Sequence, residues 1–269
     1  MTIDLSSPTL PGLGFEQRRH FLGAPFDYLS EQTVIDMIAQ SEITAPFRYL
    51  VTPNVDHVVR LKKDRELYKY YDGAWMSLCD SRPITGLAYL RSSRLPLVTG
   101  SDLTAVLFGS VIRSGDLITL IAANEEIFHA MEAAYPSVRF RAIIPPQGVL
   151  NNRAALDACI DFVVREESRF VFIAIGSPQS EKIAYELSRH PDARGIGFCV
   201  GASLEFLVGA KKRAPRWMRV ASLEWLHRLM TDPKRLWRRY AGAAIPLMGL
   251  FFEEVGSSRR RRRQTGLPN

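Results

Sequence analysis

The sequence lacks the features of a membrane span and of a disulfide framework. No uncharged apolar run reaches the roughly 18 residues that a membrane-spanning helix needs. The amino terminus does not show the basic-then-apolar order of a secretory signal. Three cysteines, Cys79, Cys159 and Cys199, lie far apart, each without a second cysteine or a histidine at metal-binding spacing. We therefore expect reduced, buried cysteines in a cytoplasmic protein.

The sequence also lacks the common signatures of cofactor binding. It contains no GxGxxG fingerprint and no GxxxxGK[ST] loop, so neither a dinucleotide nor a Walker-type phosphate site is indicated. No cluster of side chains has the spacing of metal ligands. We expect no cofactor and no metal.

Acidic residues are scarce in the last part of the chain. Residues 211–269 carry 15 Lys and Arg against four Asp and Glu, whereas residues 1–210 carry 20 against 24. The same segment holds three of the four tryptophans. Cations gain from anionic head groups, and indole rings prefer the boundary between water and hydrocarbon, so this composition indicates an anionic membrane surface as a partner. Five consecutive arginines, Arg259–Arg263, are expected to be disordered and to bind anionic lipid.

What the first two hundred residues do contain is an alternation of apolar runs and helical patterns. The predicted strands are Phe47–Thr52, Trp75–Cys79, Leu117–Ala122, Phe140–Ile144, Phe170–Ile175 and Ile196–Val200. The predicted helices are Gln32–Ser41, Val55–Lys69, Ser101–Arg113, Glu125–Tyr135, Arg153–Glu166 and Ser180–Arg189. Continuous apolar strands imply burial on both faces, so the pattern predicts an α/β fold with a parallel sheet between helices. Ligands should bind where the strands end.

Composition divides the chain into four parts. We expect an amino-terminal extension (residues 1–20), an α/β core (21–210), a basic helical appendage (211–250) and a basic tail (251–269) that is disordered. A solvated bundle that packs on the core is the plainer interpretation of the appendage. The excess of arginine over acidic residues favours membrane association instead.

Two predicted strands end in polar residues with more than one interpretation. After the first strand, Thr52 and Asn54 can bind a ligand, but Asn54 can equally cap the following helix. After the second strand, Asp80 is placed to act as a general base, because partial burial favours protonation and a strand fixes its direction. Aspartate is also a common turn residue.

Two further turns can hold an anion. In Val98–Asp102, a helix begins at Ser101 and Asp102. The exposed backbone N–H groups there can hold phosphate, or the Ser101 and Asp102 side chains can merely cap the helix. Another strand ends in glycine with a proline placed for the next helix. Its candidate ligand residues are Gly176, Ser177, Gln179 and Glu181.

The order of these motifs resembles the bacterial WecG/TagA/CpsF family of glycosyltransferases. The resemblance spans about residues 20 to 245. Its motifs are FLGAPFDYLSEQTVIDMI, VTPNVDHV, the Asp80 strand end, LVTGSDL, IAIGSPQSEKIA and the segment from GASLEFLVGAKKRAPRW to KRLWRRY. It implies a Rossmann-like core with a helical carboxy-terminal appendage, and inverting, metal-independent transfer with Asp80 as the base. It also implies that appendage arginines complete the site, and the candidates are Arg213, Arg216, Arg219 and Arg228.

The sequence departs from the family pattern at several places. Asp80 is followed by Ser81 instead of glycine, which brings Arg82 near the diphosphate or an acidic sugar. Leu97 stands where an arginine commonly precedes the VTGSD-like turn. The usual Pro-Lys-Gln-Glu order reads Pro-Gln-Ser-Glu, so Gln179 is the candidate for the donor-contacting glutamine. These changes leave the sugar open between a hexose and an N-acetylhexosamine.

The resemblance implies a nucleotide sugar, UDP-linked, as donor and a polyprenyl-diphosphate-linked saccharide as acceptor, in cell-surface or exopolysaccharide biosynthesis. A homo-oligomer is left open. One alternative is a catalytically silent scaffold of a polysaccharide assembly complex. A second is a nucleic-acid-binding protein, favoured by the pI near 9.5 but opposed by the acidic core and by the lack of a binding module, so we expect no nucleic acid.

Overall fold

The computed structural model describes residues 18–211, 230, 242 and 244–256 of the 269-residue chain. Its strands are β1 (Arg18–Phe21), β2 (Ala24–Asp27), β3 (Arg48–Val51), β4 (Met76–Ser77), β5 (Leu117–Ala122), β6 (Arg139–Ile143), β7 (Phe170–Ala174) and β8 (Ile196–Cys199). Its α-helices are α1 (Glu31–Ala39), α2 (Val55–Lys63), α3 (Tyr68–Asp72), α4 (Arg82–Tyr89), α5 (Gly100–Val106), α6 (Glu125–Ala134), α7 (Arg153–Glu166), α8 (Gln179–Ser188), α9 (Ser203–Leu207) and α10 (residues 244–256).

Strands β3 to β8 form one parallel sheet in the order β4-β3-β8-β7-β5-β6. The predicted α/β fold is confirmed. Every predicted strand is present, and five of the six residues of β5 are buried, as an apolar strand without alternation requires. Helices cover both faces: α2 and α8 contribute Val58 and Ile183 to one core cluster, and α1 and α5 contribute Val34 and Leu103 to the other. Because the sheet is parallel, all six carboxyl ends lie along one edge.

Two predicted helices differ in the structure. The helix predicted over Val55–Lys69 ends at Lys63, because Asp64 is extended and its carboxylate accepts a hydrogen bond from the backbone N–H of Glu66 (3.0 Å). The chain continues as a 3-10 turn and α3. The helix predicted over Ser101–Arg113 changes from α5 into a π turn at Leu107–Val111. Among the described elements, the sequence prediction missed β1, β2, α4, α9 and the 3-10 turn Val149–Asn151.

The β1–β2 hairpin fastens the first described residues to the edge strand β4. Its tight turn uses Leu22 and Gly23, both with positive φ. The buried Asp27 accepts two hydrogen bonds from Arg18 (2.7 and 2.8 Å) and one from the backbone N–H of Ser77 (2.7 Å). A buried carboxylate is tolerated when it is paired and hydrogen-bonded in this way. The hairpin therefore helps to hold β4, the strand that leads to Asp80.

The last described segment, α10, packs on α2. Leu247 and Leu250 are buried in the core cluster on that face, and Lys62 of α2 pairs with Glu253 (2.5 Å). The helix is described to residue 256, whereas the tail was expected to begin at residue 251. The apolar side chains Leu247 and Leu250 stabilise it by packing on the core. Of the remaining residues of the expected appendage and tail, only 211, 230 and 242 belong to the described part of the chain.

The three cysteines are free and buried, as expected. Burial raises the pKa of the Cys159 thiol to about 11, so it stays protonated at neutral pH.

Candidate active site

Asp80 lies at the carboxyl edge of the sheet, three residues beyond the end of β4. Two neighbouring loops hold it there. Its backbone N–H donates to the carbonyl of Pro53, just past β3 (3.1 Å), and its Oδ2 accepts from the backbone N–H of Gly100 (3.3 Å). The side chain is partly exposed. The structure thus places the candidate base on a partly exposed edge with its carboxylate oriented by α5.

A side chain at position 100 would crowd its neighbours. A Cβ built on Gly100 would lie 3.2 Å from Thr52 Oγ1, from Ser203 Oγ and from Val200 Cβ. The start of α5 therefore abuts the ends of β3 and β8. Thr52 is itself buried and donates from Oγ1 to the carbonyl of Cys199 (3.3 Å). Thr52 thus joins the ends of β3 and β8 and supports Gly100.

Asn54 is the amino-terminal cap of α2. Its Oδ1 accepts from the backbone N–H groups of Asp56 (3.0 Å) and His57 (3.4 Å), and His57 Nδ1 accepts in return from the backbone N–H of Asn54 (3.4 Å). This reciprocal arrangement is a capping box. The capping interpretation of Asn54 is confirmed, and a contact with the donor stays a prediction.

Ser101 and Asp102 lie in the first turn of α5. Thr99 caps this helix: its Oγ1 accepts from the backbone N–H of Asp102 (3.1 Å) and lies 2.6 Å from Asp102 Oδ2. Both Ser101 and Asp102 are partly exposed. Asp102 thus takes part in helix capping, which was the plainer interpretation of this turn.

The turn after β7 rests on a buried polar network. Ser177 Oγ accepts from Arg60 Nη1 (3.1 Å) and lies 3.3 Å from the Tyr71 hydroxyl. The same hydroxyl donates to Glu181 Oε1 (3.4 Å). Burial raises the pKa of Glu181, although hydrogen bonds from Ser177 and Tyr71 and the charge of Arg60 oppose the shift. Burial also raises the pKa of Tyr71.

Glu181 was expected to bind the donor, but it is only 3% exposed. Glu181 is linked to the Gly176–Ser177 turn through the hydroxyl of Tyr71, and a direct contact with the donor stays a prediction. Gly176 has a φ of +85° at this turn, which favours glycine. Gln179, the first residue of α8, is partly buried, and its Oε1 has no hydrogen-bond partner among the described residues.

The cations expected around the diphosphate are only partly described. Arg82 is exposed at the first residue of α4, immediately after the Ser81 cap. Arg213, Arg216, Arg219 and Arg228 lie outside the described residues. Within residues 18–211 and 244–256, no three His, Cys, Asp or Glu side chains are grouped to hold a metal ion.

Sequence reasoning missed four residues of this edge: Arg60, Tyr71, His57 and Ser203. Arg60 and Tyr71 are separated from Ser177 by 117 and 106 positions. No local pattern links residues so far apart. His57 carried a detectable signal, because it stands three residues after the Asn54 cap.

Known proteins resemble this chain in sequence. Residues 19–262 match the sequence model described as "Glycosyl transferase WecG/TagA/CpsF family". One similar protein is the N-acetylglucosaminyldiphosphoundecaprenol N-acetyl-beta-D-mannosaminyltransferase of Bacillus subtilis (strain 168). It is 26% identical over 182 residues, which cover 66% of this chain and 68% of the relative.

Proposed function

Because the chain belongs to the WecG/TagA/CpsF family of glycosyltransferases, we propose that it transfers a hexose or N-acetylhexosamine from UDP to a polyprenyl-diphosphate-linked saccharide. The relative from Bacillus subtilis acts, by its name, on an undecaprenol-diphosphate-linked N-acetylglucosamine. The observation that carries the proposal is the position of Asp80 at the carboxyl edge, beside Pro53 and Gly100. The product would enter cell-surface or exopolysaccharide biosynthesis.

Asp80 is the base in the proposed reaction. It removes the proton of the acceptor hydroxyl as the oxygen attacks the anomeric carbon of the sugar. The bond between that carbon and the diphosphate oxygen breaks, and the nucleoside diphosphate leaves with the electron pair. Attack opposite the leaving group inverts the anomeric configuration. Arginine side chains stabilise the departing charge, so the reaction is metal-independent.

We also propose peripheral association with the inner face of the cell membrane. Among the described residues, no helix is long and apolar enough to cross a bilayer. The support for the proposal lies in α10, which exposes Ile245, Met248 and Phe252 while Leu247 and Leu250 pack on the core. A helix with a second apolar stripe next to a run of arginines suits an anionic membrane surface.

A donor screen tests the proposed activity. The full chain is incubated with a short-chain polyprenyl-diphosphate N-acetylglucosamine and, in turn, with UDP-linked glucose, N-acetylglucosamine and N-acetylmannosamine. We expect one donor to be turned over, NMR of the product to show inverted anomeric configuration, and activity to survive EDTA. Loss on chelation with rescue by Mg²⁺ would contradict the metal-independent mechanism. No turnover with any donor or acceptor saccharide would favour a silent scaffold.

A further inference from the structure

The contact between Arg60 and Ser177 spans the middle of the carboxyl edge. Arg60 belongs to α2, which follows β3, and Ser177 belongs to the turn after β7. In the sheet, β8 lies between these two strands. The guanidinium therefore lies across the end of β8, at the edge that also carries Asp80 and Thr52.

The guanidinium of Arg60 has no direct carboxylate partner within the described structure. Arg60 forms no ion pair with a carboxylate there. The buried acid of the network is Glu181; burial raises its pKa, and the nearby charge of Arg60 opposes that shift. An arginine stays protonated at every physiological pH. A partly exposed turn thus carries a cation without a direct ion pair among the described residues.

The same turn has unused hydrogen-bonding capacity. A guanidinium carries five N–H donors, and the bond from Nη1 to Ser177 uses one of them. In the first turn of α8, Ser180 is 2% exposed and its hydroxyl has no partner among the described residues. Gln179 Oε1 and Glu181 Oε2 also lack a partner among the described residues, but the amide oxygen of Gln179 can only accept a hydrogen bond. Buried polar atoms are normally paired, so the spare donors of Arg60 and Ser180 point to a ligand that accepts hydrogen bonds.

We propose that Arg60 and Ser177 form the subsite for the diphosphate of the nucleotide-sugar donor. The subsite rests on the proposed function, and it places a phosphate-binding cation inside the core, separate from the appendage arginines. A guanidinium is suited to this task because its fork of donors matches two phosphate oxygens. The amino-terminal end of α8 adds favourable partial charge. Tyr71 and Glu181 are positioning residues that hold Ser177 from below.

Binding of UDP and of uridine separates the diphosphate from the nucleoside. Calorimetry measures both ligands with the wild-type chain and with Arg60→Ala, Arg60→Lys and Ser177→Ala. We expect Arg60→Ala to bind UDP roughly 10- to 100-fold more weakly, because a charge-assisted hydrogen bond is lost. The affinity for uridine should not change. Arg60→Lys keeps the charge but loses the fork, so its loss should be smaller. Arg65→Ala, an exposed arginine five positions further along, is the control and should match the wild type.

Each result decides between the subsite and its alternatives. If Arg60→Ala unfolds, Arg60→Lys and Ser177→Ala still report the ratio of UDP to uridine affinity. Variants that lose thermal stability but keep the wild-type ratio would show a purely structural contact and overturn the subsite alone. The wild-type chain can also be tested with UDP, GDP, ADP and dTDP. If it binds none of them more tightly than the matching nucleoside, both the subsite and the proposed donor are overturned.

Discussion

The backbone N–H of Gly100 donates to the carboxylate of Asp80 at 3.3 Å, although twenty positions separate the two residues. Gly100 reaches Asp80 because it has no side chain to collide with Thr52 and Ser203. The close packing of three strand ends and the orientation of the candidate base therefore depend on one small residue.

Asp80→Asn should lower turnover by roughly 10²- to 10⁴-fold, the usual contribution of a general base. The amide keeps the size of the side chain and an oxygen acceptor for Gly100, so UDP binding and the melting temperature should change little. Single-turnover transfer, calorimetry and thermal unfolding measure the three quantities. Asp157→Asn, in an exposed ion pair on α7, is the control. An Asn variant with wild-type turnover would remove Asp80 from the role of base.

Gly100→Ala should lower the free energy of unfolding by about 1–3 kcal/mol, because the new methyl group meets three atoms at 3.2 Å. Turnover should fall as well, since the N–H that orients Asp80 must shift. Gly86→Ala is the matched control: it lies within α4 with no atom near its Cβ, and it should stabilise by about 0.5–1 kcal/mol. Urea unfolding of both variants tests the prediction. Equal stability changes of the same sign would contradict it.

The sequence predicted the sheet well and the site less completely, for physical reasons. Apolar runs such as β5 can be recognised in the sequence, because a strand that is buried on both faces has few polar residues. The short helix α4 and the β1–β2 hairpin were missed, since their stability comes from tertiary contacts such as that of Asp27 with Ser77. Arg60 was missed for the same reason, since its hydrogen-bond partner Ser177 is 117 positions away in the sequence.

The Arg18–Asp27 pair is expected to be essential for stability. Asp27→Ala leaves the N–H of Ser77 without its acceptor and the partly buried guanidinium of Arg18 with backbone carbonyls alone, so we expect a loss of about 3–5 kcal/mol in the free energy of unfolding. Asp72→Ala, at an exposed carboxylate, should cost less than about 1 kcal/mol. Guanidinium unfolding monitored by fluorescence gives both values. A loss for Asp27→Ala as small as that of the control would show that the hairpin does not secure β4.

Glu181→Gln should change how stability depends on pH. A carboxyl group with a raised pKa binds its proton more tightly in the folded state, so its contribution is fully present below its ordinary pKa, near 4.5, and is lost as pH rises through the folded value. The Gln variant lacks this loss and should gain stability relative to the wild type as pH rises. Urea unfolding from pH 4 to 8 measures the difference. Glu126→Gln, exposed on α6, should show no such trend.

The arginine run Arg259–Arg263 should act in membrane binding and not in transfer. Replacing all five arginines by glutamine should weaken sedimentation with anionic vesicles by about 1 kcal/mol per arginine near the surface. Replacement by lysine keeps the charge and should preserve binding, and neutral phosphatidylcholine vesicles should bind neither form tightly. Turnover of a soluble acceptor analogue should stay the same in both variants, because the described candidate residues lie between positions 52 and 181. If the glutamine variant binds anionic vesicles as the wild type does, the apolar stripe of Ile245, Met248 and Phe252 must carry the association instead.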